Sequence, residues 1–430
     1  MSFTRWKEEL IELGRLGRKS SARIETYGQL HPEKGLYRLE GTEEMRRSKE
    51  YMISRMKEVG LTVRIDRVGN IFGRREGSKT KKGAVMSGSH LDSVLNGGMF
   101  DGALGVISAL EAVRIMKDEG FENERPVEVV IFMGEEGSAF KKVLLGSHIL
   151  VGKMPVEEAW ELKNSEGLTL KDALDRGGLR GDFEMDLGDV EYFIEMHVEQ
   201  GPILDQEKIP IGIVENITGL TWVYATLEGE ENHAGTTPMF SRRDALVAAA
   251  EIISFTSRRA KEMARKFGGS TVATVGRMFV LPGAPNIVPG RVEMGIDIRD
   301  GVEENMKNLR QEILGRIRDL EEEYGIKSTI EIPFLHPPRP CSRAVVVTIA
   351  KAVQEMNLQA RRMNSGAGHD AQNIAEKVKT GMIFVPSIRG ISHSPLEWTN
   401  WEDIERGIGV LTRALKDLSK LVPALVLADR

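Results

Sequence analysis

Eight histidines are spread along the chain, and five of them sit in polar, glycine-rich surroundings: Gly88-Ser89-His90-Leu91-Asp92, Glu195-Met196-His197-Val198-Glu199-Gln200-Gly201, Asn232-His233-Ala234-Gly235, Gly368-His369-Asp370 and Ile391-Ser392-His393-Ser394-Pro395. Imidazoles and carboxylates at the tips of strands are what a divalent cation needs: rigid donors whose lone pairs meet at one point. His31, His148 and His336 lie in ordinary settings and read as surface or packing residues. His90 and Asp92, two apart, face the same side of an extended segment. The Asp92 carboxylate can then accept the second imidazole N–H and fix the tautomer; a satisfied polar turn is the plainer alternative. Asp101 follows Asn96-Gly97-Gly98-Met99-Phe100 and precedes Gly102. Taken alone it is more simply a helix N-cap, although three glycines around one carboxylate also suit a residue that bridges two cations.

Glu135-Glu136, directly after an apolar run, is more informative. Adjacent carboxylates repel each other in a drying site unless a cation neutralises one. With Glu136 as ligand, Glu135 is free to take a proton from polarised water, the division of labour of metal-assisted hydrolysis. A solvated acidic pair is the competing account. Arg299 ends Gly295-Ile296-Asp297-Ile298-Arg299, and Asn286 opens the proline-framed loop Asn286-Ile287-Val288-Pro289. A guanidinium fork with an amide beside it suits a substrate carboxylate, unless Arg299 is spent on Asp297 or Asp300.

The elements that must position these groups are legible from hydrophobic period. Trp6, Leu10, Ile11, Leu13 and Leu16 mark an opening helix, and 41–59 a second, followed by a hairpin over Leu61 to Ile65 and Ile71-Phe72. Ala84-Val85-Met86 is a short strand running into Ser87-Gly88-Ser89-His90, 103–118 a helix, and Val127 to Met133 a buried strand ending at Gly134-Glu135-Glu136. Strands separated by helices argue for a mostly parallel mixed sheet, with sites beyond the strands' carboxyl ends. The middle of the chain reads β-α-β-β-α-β: strands at 221–227, 270–280, 291–298 and 327–332, helices at 241–266 and 302–324. That order is the split ferredoxin-like unit. After Pro333 the α/β style resumes, with helices near 342–356 and 401–418 and a strand at Thr380 to Val385. The expected fold is therefore an α/β catalytic domain made of 1–212 and 331–430, interrupted by a smaller inserted ferredoxin-like α+β domain at 213–330.

The chain has 430 residues, 41% hydrophobic and 29% charged, which excludes a mainly disordered polymer and implies two or three domains' worth of core. A net charge of −5 argues against a nucleic-acid surface or a polybasic membrane patch. The single Cys341 excludes an intrachain disulfide and CxxC chemistry. The first residues carry no apolar core of a secretory signal, and no apolar run approaches the ~20 residues of a bilayer span. The expectation is a cytoplasmic protein with no nucleic-acid or membrane partner.

Together these segments resemble one family: GSHLDSVLNGGMFDGALGV at 88–106, EEGSAF at 135–140, MHVEQGPIL at 196–204, NHAGTTPM at 232–239, PNIVPG at 285–290, DIRD at 297–300, SGAGHDA at 365–371 and GISHSPLEW at 390–398. They resemble the di-metal amidohydrolases that include N-carbamoyl-L-amino acid hydrolase, β-ureidopropionase and allantoate amidohydrolase, within the aminoacylase and carboxypeptidase-like metallopeptidases. The resemblance implies that His90, Asp101 and His197 hold one divalent ion and Asp101, Glu136 and His393 a second, with Asp101 bridging. Glu135 then matches the general base. His233 matches a histidine that polarises the scissile carbonyl from the neighbouring subunit of a homodimer. Gln200, Asn286 and Arg299 match residues binding the substrate amide and carboxylate, and the backbone of Gly366-Ala367-Gly368 lines the same pocket. The metals implied are zinc, or manganese, cobalt or nickel.

The implied activity is hydrolysis of an N-carbamoyl-L-amino acid to the L-amino acid, carbon dioxide and ammonia. Allantoate hydrolysis is the alternative, an aminoacylase or dipeptidase a weaker one. A catalytically dead binding protein of the same fold is the reading from a different class, and an intact Glu135 argues against it. Ala139 departs from the family pattern, in which a basic residue often follows the Glu-Glu pair.

Overall fold

The structure is a computed structural model, and it describes residues 5–18, 35–267 and 270–421, all but the side chain of Phe334. His31 lies outside the described residues. The chain divides into two compact units. The first comprises Met1–Glu215, Pro340–Met363 and His369–Arg430, the second Asn216–Arg339 and Asn364–Gly368.

The first unit opens with helices α1 (Arg5–Leu16) and α2 (Glu43–Val59). In α1 Trp6, Leu10 and Leu13 recur at helical spacing and are buried. Helix α2 starts where the Thr42 hydroxyl accepts from Met45 N–H and stops at Gly60, whose φ of +91° is the left-handed conformation that glycine adopts without strain. Strands β1 (Thr62–Ile65) and β2 (Ile71–Arg75) form the antiparallel hairpin read from the sequence. Then come β3 (Ala84–His90), α3 (Ala103–Asp118), β4 (Val127–Phe132), the short helices α4 (Leu145–Leu150), α5 (Val156–Trp160) and α6 (Leu170–Gly177), β5 (Val190–Val198), α7 (Ile203–Glu207) and β6 (Ile211–Ile217).

The second unit contains β7 (Gly219–Glu228), the two-residue β8 (Asn232–His233), α8 (Ala245–Lys266), β9 (Val272–Leu281), the two-residue β10 (Ile287–Val288), β11 (Arg291–Asp300), α9 (Glu303–Tyr324) and β12 (Lys327–His336). The chain then runs through β13 (Arg339–Pro340), α10 (Arg343–Glu355), β14 (Ala360–Ser365), α11 (Asp370–Ile374), β15 (Lys379–Val385) and α12 (Trp401–Leu418).

In the large sheet β4, β3, β5 and β15 lie side by side and parallel, with β2 and then β1 added antiparallel at one side and β6 antiparallel beside β15. The result is a mixed α/β sheet with a mainly parallel centre. Every residue of β3 and β4 is buried, as strands covered on both faces must be. Helix α3 packs on β3, β4 and β5, and α12 on α3, α10 and β15. Leu104, Ile107 and Leu110 of α3 join Val85, Val129, Ile131, Ile194 and Ile383 of the strands and Ile404, Ile408 and Leu411 of α12 in one core.

The second unit is a four-stranded antiparallel sheet in the order β12-β7-β11-β9 with α8 and α9 packed on it. Burial along β7 alternates residue by residue, the sign of one covered face. Val223, Ala225 and Leu227 and Val292, Met294, Ile296 and Ile298 meet Ile252 of α8 and Leu309, Ile313 and Ile317 of α9. No helix among the described residues is long and apolar enough to cross a membrane.

Candidate metal centre

Parallel strands all end on the same edge of their sheet, so the residues just past their carboxyl ends are neighbours however far apart in the chain. His90 is the last residue of β3 and His197 the penultimate residue of β5. Glu135 and Glu136 follow β4, and His393 lies in the loop between β15 and α12. Asp101 stands in the turn that enters α3, and it does not cap that helix: the N-cap is Gly102, with no side-chain capping bond. The simpler account of Asp101 as a cap therefore fails, because the left-handed Gly102 (φ +63°) turns the helix start away from its side chain.

The Asp101 carboxylate becomes the hub. Its Oδ1 is 3.4 Å from His90 Nε2 and 3.2 Å from His197 Nε2, and its Oδ2 is 3.4 Å from His393 Nε2. His393 Nε2 is in turn 3.5 Å from Glu136 Oε2. His90, Asp101 and His197 form one set whose donor atoms lie within 4.8 Å of one another, and Asp101, Glu136 and His393 a second. Two atoms held about 2.0–2.2 Å from one tetrahedral ion sit about 3.3–3.6 Å apart, and the observed spacings fall within a few tenths of an ångström of that. The Glu136 Oε1 atom is buried without a hydrogen-bond partner, a further mark of a donor set aimed at a cation.

Local backbone features hold these groups. His90 Nδ1 faces the Asp92 main-chain carbonyl at 3.1 Å, while the Asp92 carboxylate is 3.4 Å away. The expected carboxylate–imidazole bond gives way to the carbonyl because the carboxylate accepts the Glu135 and Glu136 N–H groups, each at 3.0 Å. Asp92 thus fixes the Glu-Glu turn as well as standing behind His90. His197 Nδ1 faces the Val198 carbonyl at 3.0 Å. Gln200 Nε2 donates to Asp101 Oδ2 at 2.8 Å. Both Gln200 (φ +58°) and His393 (φ +53°) adopt the left-handed region, strain of the kind that collects where side chains must be presented to a site. Gly102 has to be glycine for a second reason, since a Cβ there would stand 2.4 Å from the His90 ring.

Burial sets the electrostatics. It drives the Glu135 carboxyl well above the usual carboxylate range; the His90 imidazole opposes this, and repulsion from Glu136, Asp370 and Asp92 adds to it. Glu136 is pushed up to about 8, by burial first and the Asp101 charge second. Burial also opposes ionisation of Asp101, yet hydrogen bonds from His197, His393 and His90 outweigh it and hold that carboxyl well below its ordinary value. His393 is raised to about 9, chiefly by its bond to Asp101. The imidazoles supply positive charge that the carboxylates demand, and a divalent cation meets the same demand with charge to spare.

His233, Asn286, Arg299 and the Gly366-Ala367-Gly368 loop belong to the second unit. His233 pairs with Ile287 across the β8–β10 ladder, and Ala234 N–H donates to the Asn286 carbonyl at 3.0 Å. His233 Nδ1 accepts from Gly235 N–H (3.0 Å) and Thr236 N–H (3.2 Å), so the neutral ring carries its proton on Nε2. Arg299 is forked on Asp297 (2.9 and 3.2 Å) and donates to the Gly366 carbonyl at 3.0 Å. It makes the ion pair that competed with the substrate-binding reading, and that pair also orients the guanidinium. In that loop the Ala367 carbonyl accepts from the Ser365 hydroxyl at 2.8 Å. Asp300 is occupied by Ser270, Thr271 and Val302 N–H.

Residues 86–417 match the model of peptidase family M20/M25/M40. The chain belongs to that family. An N-carbamoyl-L-amino-acid amidohydrolase of Paenarthrobacter aurescens is 39% identical over 390 residues, covering 90% of this chain and 94% of that one. An allantoate amidohydrolase of Escherichia coli is 36% identical over the same shares of both. A crystal structure of a hydantoinase/carbamoylase family amidase from Burkholderia multivorans superimposes with a TM-score of 0.88 at 33% identity, covering 97% of this chain and 98% of that one. The M20/M25/M40 membership and the two donor sets agree with a metal-dependent hydrolase.

Glu195, Glu397 and Ser392 did not stand out as individuals in the sequence. Glu195, His197 and His369 form a third close set, but Glu195 is committed to the Ser89 hydroxyl (2.6 Å) and Ala371 N–H (2.9 Å). Buried Glu397 and Ser392 adjoin Asp101. Both lie in the GISHSPLEW segment, and the available signal was an acidic residue four positions beyond a histidine.

Proposed function

We propose that the chain hydrolyses the ureido carbon–nitrogen bond of N-carbamoyl-L-amino acids, consuming one water and releasing the L-amino acid, carbon dioxide and ammonia. The observation that carries this is the convergence of three imidazoles on the two oxygens of one buried aspartate, with Glu135 and Glu136 beside them. His90, Asp101 and His197 would hold one divalent ion, and Asp101, Glu136 and His393 the other. A bound pair of this kind supplies Lewis acidity, polarising the ureido carbonyl and acidifying water.

The rest is done by side chains. Glu135, buried and with a raised proton affinity, takes the proton from attacking water and returns it to the leaving nitrogen. His233, with its proton on Nε2, donates to the carbonyl oxygen as negative charge develops there. Arg299 and Asn286 bind the substrate carboxylate, and the inserted unit acts as a ferredoxin-like lid and dimerisation domain. Gln200 engages the amide, and the backbone of residues 366–368 completes the pocket. Support for a homodimer comes from edge strand β9, where Val272, Met278, Phe279 and Leu281 are exposed, and from exposed Met239 and Phe240 beside the His233 loop. The substrate class and the metal dependence fit a cytoplasmic enzyme.

Allantoate is the second substrate reading, since it is also a ureido acid with a carboxylate and an allantoate amidohydrolase is similar over most of the chain. Ammonia release from N-carbamoyl-methionine, N-carbamoyl-β-alanine and allantoate, measured side by side with Zn²⁺ or Mn²⁺ added, decides between them. Fastest turnover of the α-amino acid derivative is expected. Turnover of allantoate alone moves the assignment, and no release from any leaves the aminoacylase or dipeptidase reading and the binding-protein reading.

A further inference from the structure

Glu397 is fully buried and lies 296 residues from Asp101 in the chain, yet it contacts the loops of both Asp101 and His393. Its Oε1 accepts the Phe100 N–H at 2.9 Å and the Asp101 N–H at 3.0 Å. Its Oε2 accepts from the Ser392 hydroxyl at 2.8 Å, next in sequence to His393. The same hydroxyl oxygen is 3.0 Å from Asp101 Oδ2, so its single hydrogen serves one carboxylate at a time.

The surroundings are built for this contact. A Cβ on Gly98 would stand 2.4 Å from the Glu397 carboxyl carbon, so only glycine lets the carboxylate reach the turn. Phe100 and Trp398, the chain neighbours of Asp101 and Glu397, pack edge to face at 5.3 Å, and both pack on Trp401. A residue needed only for packing here would be apolar, because a buried carboxylate among other carboxylates is costly to desolvate. Glu397 instead spends its acceptors on the main chain that carries one proposed ligand and on the residue beside another.

We propose that Glu397 is a positioning residue: it ties the Asp101 turn to the His393 loop, so that one aspartate can serve both donor sets. The inference rests on the two-ion reading above and adds the group that holds the two sets in register.

The test titrates the metal-depleted full chain with Mn²⁺ and follows it by electron paramagnetic resonance, with bound Mn²⁺ measured after gel filtration. The unaltered chain is expected to bind two Mn²⁺ and show a spin-coupled signal. Glu397→Ala is expected to keep the ion of His90 and His197, to bind the His393-side ion about 10–100-fold more weakly, and to lose the coupled signal. Glu397→Gln, whose amide oxygen still accepts both main-chain N–H groups, is expected to restore it. Should Glu397→Ala fail to fold, Ser392→Ala decides, with second-ion binding weakened by about threefold or more. Two Mn²⁺ bound with unchanged affinity and coupling in whichever of these two variants folds would overturn the inference. An unaltered chain that binds no Mn²⁺ overturns the metal reading itself, a different and separately visible failure.

Discussion

Replacing Glu135 by glutamine separates chemistry from architecture. The Glu135 main-chain N–H is held by Asp92 Oδ1 at 3.0 Å whatever the side chain, and glutamine matches the size of a protonated glutamate, so the turn and Glu136 stay in place. What is removed is the proposed acceptor of the water proton, a role worth about 10²–10⁴ in rate, or about 2.7–5.5 kcal/mol of barrier. Stability should move the other way. The folded chain keeps the Glu135 proton to higher pH than the unfolded chain does, because burial outweighs the nearby imidazole. The carboxyl therefore costs stability progressively as pH rises above its ordinary value of ~4.3. Metal-free Glu135→Gln should melt at or above the temperature of the unaltered chain, with the gap widening between about pH 5 and pH 8. The assay is steady-state ammonia release with saturating Mn²⁺, paired with bound-metal analysis and thermal melts across that range. Turnover within about threefold of the unaltered chain would refute Glu135 as the base. Loss of bound metal together with a lowered melting temperature would show that the residue holds the site together instead.

Asp92→Asn leaves one of the two Glu-Glu N–H groups facing an amide nitrogen; metal affinity should fall about 10–100-fold, with activity recovered at high Mn²⁺, as a competition titration against a chelating dye will show. Gly102→Ala forces a side chain against the His90 ring at a φ of +63°; a loss of about 1–3 kcal/mol from the strained backbone, and weaker binding of the proposed His90–His197 ion, should appear in denaturant melts and Mn²⁺ titration. Arg299→Ala should raise KM for carboxylated ureido substrates about 10–100-fold with kcat little changed, and an unchanged KM in initial-rate kinetics would place the carboxylate elsewhere. Arg299→Lys should not restore it, because a point charge cannot reproduce a fork already anchored on Asp297.

The elements whose pattern is local were readable before any coordinates. Helix α1 shows its Trp6-Leu10-Leu13 stripe, β4 is apolar but for Glu128, and the β1–β2 hairpin is polar-edged. Strand β5 was not readable, although it sits in the middle of the large sheet and carries His197. Glu191 and Glu195 interrupt its apolar pattern, and only the tertiary fold shows why the second is tolerated: the Ser89 hydroxyl and Ala371 N–H satisfy it in the interior. Helices α4 to α6 are short, and their apolar side chains come together as a satellite core with Val68 and Met133.

Residue types and spacing by themselves determined which groups could do chemistry here, because imidazoles and carboxylates at the tips of apolar runs are donors a cation can use. They did not determine what each group touches. Whether Asp101 caps a helix or faces three imidazoles depends on one left-handed glycine, and whether Asp92 serves His90 or the Glu-Glu turn depends on the register of β3 against β4. Glu397 reaches Asp101 only because the loop after β15 folds back over the turn before α3. Such meetings join residues tens to hundreds of positions apart. They follow from parallel strands ending on a common edge and from packing around them, which no local spacing encodes.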